Sequence, residues 1–195
     1  MKNHPGNLHI LGYANFSHAP SYNTAINGMK NGDSSLLDII RGHTAGVQYG
    51  GVKYGFGISF NQELSKSIGV FSRIGWNDGQ TASWAFAEID QTASIGMRIT
   101  GDVIKRPLDN FGIACIINGL SAPHRNYLNA GGNGFILGDG KLTNYKYEQI
   151  LETFYKVRLS RWLWVTLDYQ FTINPGYNKD RGPVNIYGIR THVEF

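Results

Sequence analysis

The chain has 195 residues and a formal charge of +4, and it is 42% hydrophobic and 16% charged, against about 25% charged residues in a usual soluble domain. No apolar run approaches the roughly 18 residues a membrane helix needs. The Lys and Arg residues are scattered rather than gathered into a phosphate-tracking patch, and the single cysteine, Cys115, allows neither an internal disulfide nor a CxxC metal pair.

The composition therefore argues against a helical membrane protein and a nucleic-acid binder, and it leaves any membrane role to strands. Residues 1–6 (MKNHPG) run straight into a strand-like segment without the apolar stretch and cleavage site of a secretory signal. The dominant period is two, the signature of strands with unlike faces. A first strand is expected near 7–17. Residues 18–49 form a long connection with short helices near 21–30 and 34–40. Strands near 50–63 and 68–77 follow, joined by a turn at 64–67. In the former, Val52, Tyr54, Phe56, Ile58 and Phe60 alternate with Lys53, Gly55, Gly57, Ser59 and Asn61.

A fourth strand is predicted near 83–100, with Ile89, Ala93, Ile95, Met97 and Ile99 on one face and Asp90, Thr92, Ser94, Gly96 and Arg98 on the other. After 101–108 comes a strand near 109–121. A connection over 122–146 carries a helix near 122–128. Strands near 147–159 and 162–173 are joined by a tight turn, and a loop over 174–183 leads to the last strand, 184–195. The strand near 147–159 is the least clean, because Ile150 and Phe154 share the face of its charges.

Short and long connections alternate along the chain. In outer-membrane barrels short turns face the periplasm and long loops face outside, which puts both chain ends on the periplasmic side. Arg73, Glu88, Asp90, Arg98, Glu148, Glu152, Lys156, Asp168, Arg190 and Glu194 all fall opposite the more apolar face. Period alone leaves open which face is inside, since a soluble two-sheet sandwich alternates in the same way. The last strand ends in Phe195, with Val193, Thr191 and Tyr187 on its face. A terminal aromatic of this kind resembles the signal read by the outer-membrane assembly machinery.

From about Leu8 to Phe195 the sequence resembles the C-terminal half of the OprB-type carbohydrate-selective porins. The resemblance rests on LHILGYANFSHAPSYNTAI, on KYGFGISFNQELSKSIGVFSRIGWNDG, on AFAEID, and above all on HRNYLNAGGNGFILGDG at 124–140 and NPGYNKDRGPV at 174–184. It implies an all-β fold, an antiparallel up-and-down transmembrane β-barrel in the bacterial outer membrane. Family members are barrels of about sixteen strands. Residues 1–195 then form one barrel domain of about eight strands, a half-barrel or open curved sheet.

A porin passing sugars needs groups that exchange hydrogen bonds with hydroxyls and aromatics that stack on sugar rings. The candidates are Arg73, Glu88, Asp90, Arg98, Glu148, Glu152, Trp164, Asp168, Arg190 and His192, with Trp84 as further stacking surface. The plainer reading of each is a charge that keeps the wall wet or ties neighbouring strands. The expected partners are carbohydrate solutes, outer-membrane lipid and, through Phe195, the assembly machinery. Nucleic acid is not expected, and for the full-length parent both a monomer and a trimer stay open. Paired carboxylates at Glu88 and Asp90 raise glycoside hydrolysis, but nothing separates an acid from a base, so no enzyme and no cofactor are expected. The six His residues show no HxxxH or HxH spacing for a metal. The alternative is a non-conducting β-sheet or sugar-binding fragment.

Overall fold

The computed structural model describes residues 4–17, 20–33, 51–82, 88–137 and 140–195. Eight strands form one sheet: β1 (Gly6–Ser17), β2 (Gly51–Ser65), β3 (Ile68–Asn77), β4 (Gln91–Thr100), β5 (Asn110–Gly119), β6 (Glu148–Arg158), β7 (Leu163–Ile173) and β8 (Val184–Val193). Each pairs antiparallel with the next in sequence, so the order is β1 to β8 without a crossover. The sheet is open. Among the described residues β1 and β8 are each paired on one side only. Among the described residues two helices lie in the long connections, α1 (Tyr22–Lys30) and α2 (Ala122–Asn129). The strands run 10 to 15 residues, enough for the roughly 9–11 that a tilted strand needs to cross the hydrocarbon.

The register carries one face across the whole sheet. Phe56 pairs with Trp76, Ile58 with Ile74, Val70 with Met97, Ile95 with Cys115, Cys115 with Leu151, Tyr155 with Leu167 and Leu167 with Ile189. This apolar face is open: Ile10, Ile95, Leu167 and Ile189 all leave more than half their surface uncovered. Cys115 lies in it as one more small apolar side chain. Between the two edge strands the backbone groups are satisfied by the ladders, as strands that cross lipid require. The residues between these positions form a second face, which carries every Asp, Glu, Lys and Arg of the described strands.

The three tight connections (β2 to β3, β4 to β5, β6 to β7) gather at one end of the sheet together with both ends of the chain. The long ones gather at the other end. That end also holds the buried apolar core, Tyr22, Ala25, Ala82, Leu120, Tyr127, Leu128, Leu142 and Tyr177. None of these is a strand residue, because the strands turn their apolar side outward and leave the loops to pack on one another.

Sequence and structure part in several places. The strand predicted near 83–100 begins only at Gln91, so Glu88 and Asp90 stand before it; residues 83–87, with Trp84, lie outside the described residues. The cause is local. Asp90 still continues the ladders, its N–H donating to Gly119 O at 3.0 Å and its carbonyl accepting from Asn77 N–H at 2.8 Å. Both side chains, however, are drawn into the loops. The helix predicted near 34–40 also falls outside the described residues. β8 ends at Val193, two residues before Phe195, although Glu194 N–H adds one more bond to Trp162 O at 3.0 Å.

The turn from β4 to β5 begins with a single 3-10 turn, Gly101–Ile104, and is fastened by Asp109. Its carboxylate accepts from the Arg106 guanidinium, the Tyr155 hydroxyl and, at 3.0 Å, the Arg158 N–H. The Arg106 hydrogen bond leads in holding the Asp109 carboxyl at about 2, below the usual 3.8, against the opposing effect of burial. A group depressed on folding stabilises the fold above its unfolded pKa and loses that contribution as the pH falls through the folded one. The thermal midpoint of the detergent-folded chain is therefore expected to drop between about pH 4 and about pH 2. Asp109→Asn, unable to titrate, is expected to flatten that stretch of the profile while lowering the midpoint at neutral pH. An equal acid slope in the variant would rule the turn out as its source.

Candidate functional site: the polar face and its mouth

The eight strand residues singled out from the sequence share the polar face. Arg73 pairs with Ser59 and Ser94, Arg98 with Gly69 and Gly112, and Glu148 with Asn118. Glu152 stands between Ala114 and Gln170, Asp168 between Phe154 and Gly188, and Trp164 between Arg158 and His192, with Arg190 opposite Thr166. Arg73, Arg98, Arg190 and His192 are exposed, whereas Glu152, Trp164 and Asp168 are half-buried.

The face divides by height. Near the mouth, Glu148 is tied into the wall. Its Oε2 accepts from Asn118 Nδ2 at 3.2 Å, and Asn118 Oδ1 accepts from Thr92 Oγ1 at 2.8 Å. Its Oε1 accepts from Gly176 N–H at 3.0 Å, so the same carboxylate also pins the β7–β8 loop. At mid-height Glu152 and Asp168 interact with each other within electrostatic reach of Arg190. Toward the short turns, Trp164 is ringed by cations, with Lys156 Nζ 5.6 Å and the Arg158 guanidinium 5.1 Å from its ring, and His192 edge-on at 5.4 Å.

Glu88 and Asp90 do not join this wall. Glu88 is 5% exposed, and its carboxylate accepts three backbone N–H groups, from Phe135, Ile136 and Leu137, at 2.9, 2.8 and 2.7 Å. Its carbonyl accepts from the Tyr177 hydroxyl at 2.7 Å. Asp90, 3% exposed, accepts from Ser121 N–H and contacts His124 Nδ1, both at 2.9 Å. Burial alone raises the Asp90 carboxyl, but the hydrogen bond and charge of His124, the Ser121 N–H and Lys53 together hold it below its ordinary value. The expectation that these two carboxylates line a lumen is thus corrected. They fasten the loops, and a pair so enclosed is no acid–base pair for a glycoside.

Local chemistry explains the enclosure. Ser121 caps α2, its Oγ accepting from His124 N–H at 3.2 Å and donating to Gly79 O at 2.6 Å, the usual role of Ser at a helix start. Gly79 sits at φ 56, and a Cβ there would lie 2.4 Å from that of Ser121. Only glycine accepts both demands. His124 stacks on Tyr22 of α1 at 4.4 Å between ring centroids, and Tyr127 stands 5.0 Å from Tyr22. Among the described residues, His124 Nε2 is buried without a hydrogen-bond partner. Sequence reading passed over this cluster, although His124 and Tyr127 are spaced i, i+3 on a predicted helix and so share its face.

The OprB carbohydrate-selective porin family matches residues 2–195. The chain belongs to that family. A solved OprB structure from Pseudomonas putida superposes with a TM-score of 0.71 at 14% identity, covering 98% of this chain and 45% of that one. The sequence is also 24% identical to the porin AaxA of Chlamydia abortus and 27% identical to that of Chlamydia caviae, in each case over 71% of this chain. It spans 27% and 26% of those relatives' lengths. Family membership places the chain in the bacterial outer membrane. Arg73, Arg98, Glu148, Glu152, Trp164, Asp168, Arg190 and His192 share the polar face of the sheet.

Proposed function

We propose that the chain forms part of the wall of a passive channel for carbohydrates, with residues 1–195 acting as one barrel domain. The observation that carries the reading is the division of the sheet into two faces. Every Asp, Glu, Lys and Arg of the eight strands stands on one face, which forms the lumen side, and the other face carries none. A wall of mixed charge selects by size, charge and hydrogen bonding. Sugar hydroxyls exchange water for the carboxylates and guanidinium groups of Glu152, Asp168, Arg98 and Arg190, and transport runs downhill without a cofactor or a catalytic step. Phe195 is fully exposed beyond β8, open to recognition by the assembly machinery.

A second reading is a sheet that binds sugar without conducting. Among the described residues β1 and β8 are each paired on one side only, and open edges invite pairing with other strands. Planar-bilayer recording of the refolded chain separates the two. Discrete current steps that added sugar interrupts are expected of a selective channel, formed by one chain or by assembled copies. Folded, β-rich protein that gives no steps would leave the second reading standing.

A further inference from the structure

At the short-turn end of the sheet, apolar side chains stand open among arginines. Val103, Ile104, Leu108, Leu159 and Trp162 each leave more than half their surface uncovered. So many together mark a surface that meets something other than water. The β4–β5 and β6–β7 connections come together at the foot of the paired strands β5 and β6, and between them lies an open cleft of about 520 Å³. That volume is within the range of small-molecule sites, roughly 300–1,000 Å³. Three cations, Arg106, Arg158 and Arg161, line it against one anion, Asp109, with Leu108 and Leu159 beside them. The arginines are not equally engaged. Arg158 is committed to its turn: the guanidinium donates to Ser160 O and Arg161 O, both at 2.9 Å, and lies over Trp164. Arg106 gives its Nε and Nη2 to Asp109 and, among the described residues, keeps Nη1 unbonded. Arg161 is exposed, and its side chain has no bond among the described residues. The cleft opens on the apolar face. Asp109 lies two residues before Phe111 of that face, and its carboxylate accepts from the hydroxyl of Tyr155, which pairs with Phe111 and Leu167. Leu159 continues the alternation of Tyr155 and Val157 on the same side.

We infer that this cleft holds the headgroup of an anionic phospholipid in the periplasmic leaflet. Short turns face the periplasm in outer-membrane barrels, so the cleft meets the bilayer near the level where phosphate gives way to acyl chain. Arg106 Nη1, Arg161 and the Ser160 hydroxyl bind the phosphate, a partner that arginine matches in both charge and shape. Leu108, Leu159 and Phe111 lie along the first methylenes of the chains. A soluble anion would leave the leucines uncovered, and a zwitterionic lipid would bring a cation of its own to the two arginines. This rests on the apolar face being the lipid side, as the channel reading also requires, and adds to it a bound lipid of defined charge.

Native mass spectrometry of the detergent-folded chain tests it, with phosphatidylglycerol and phosphatidylcholine of equal chain length added at equal concentration. Phosphatidylglycerol is expected to be retained in preference. Arg161→Gln removes a side chain that bonds nothing in the fold, so folding is kept. It is expected to weaken that retention about fivefold, since one basic residue at a membrane surface contributes about 1 kcal/mol and about 1.4 kcal/mol is tenfold. Lys66→Gln takes the same charge from the β2–β3 turn, outside the cleft, and is expected to leave retention unchanged. Glycerol phosphate, a headgroup without chains, is expected to compete poorly. Equal retention of the two lipids, an equal loss in Lys66→Gln, or displacement by glycerol phosphate at the concentration of the lipid would overturn the site. Bilayer recording keeps the two ideas apart. Lipid preference without current steps strikes the channel and leaves the cleft, whereas a sugar-blocked channel without lipid preference strikes the cleft alone.

Discussion

Replacing Glu88 with Gln is expected to release the loop that follows α2. The carboxylate holds three consecutive amides, those of Phe135, Ile136 and Leu137, at 2.7 to 2.9 Å. Hydrogen bonds to a charged acceptor contribute about 1.5–3 kcal/mol each, more than neutral ones. A glutamine keeps one acceptor oxygen but turns an NH2 group, itself a donor, toward donors. A net loss of about 2–4 kcal/mol in loop docking follows, allowing for the bond that survives. Amide exchange at 135–137 should then quicken about 30- to 700-fold, at 1.4 kcal/mol per factor of ten. The Tyr177 hydroxyl bonds the Glu88 carbonyl, not the carboxylate, so the mouth core stays packed and the effect is confined to the loop. Gly134→Ala is expected to act alike, because its Cβ would stand 1.7 Å from Glu88 Oε1. Unchanged exchange in Glu88→Gln would mean that something other than the carboxylate holds the segment.

Glu88 also marks where sequence reading reaches its end. Period two finds strands wherever both faces persist for several residues, and it placed β3 at its observed bounds, Ile68–Asn77, and β7 within one residue. The shared face of the strand charges was equally legible, because a one-residue register slip would turn every one of them to the other side of the sheet. Around residue 88 the same rule misleads. Glu88 and Asp90 alternate with Ile89 as a strand would, but the partners of their carboxylates lie about 30 to 50 positions away, at 121–124 and 135–137. No local pattern carries contacts so distant. Phe154 illustrates the opposite case. It broke the polar pattern of β6 and read as a flaw, yet it lies over Gly112 of the neighbouring strand, a pairing visible only once β5 and β6 are in register. The core mixes Tyr22 and Tyr127 of the two short helices with irregular-loop residues such as Leu142 and Tyr177, and period two gives no signal for any of them.

A single arginine placed at two depths on the apolar face gives the sharpest test that lipid covers it. Leu167 lies mid-way along β7, pairs with Tyr155 and Ile189, and is 52% exposed. Leu163 shares its face four residues nearer the short turns. In a membrane barrel an arginine on the lipid side costs about 2–4 kcal/mol at the midplane and about 0–1 near the interface. Leu167→Arg is therefore expected to lower folding stability in lipid vesicles by about 2–4 kcal/mol and Leu163→Arg by no more than about 1, read by urea titration of the heat-modifiable band. Gln170→Arg, on the polar face beside Glu152 and near Asp168, should stay within about 0.5 kcal/mol, as substitutions away from packed features do. The gradient with depth is the informative part. A soluble sandwich with its apolar face inward would also reject Leu167→Arg, but its penalty would follow packing and not distance from a bilayer centre. Equal costs at 163 and 167, or a Gln170→Arg variant worse than Leu167→Arg, would mean that lipid does not lie on this side, and the lumen assignment of the charged face would fall with it.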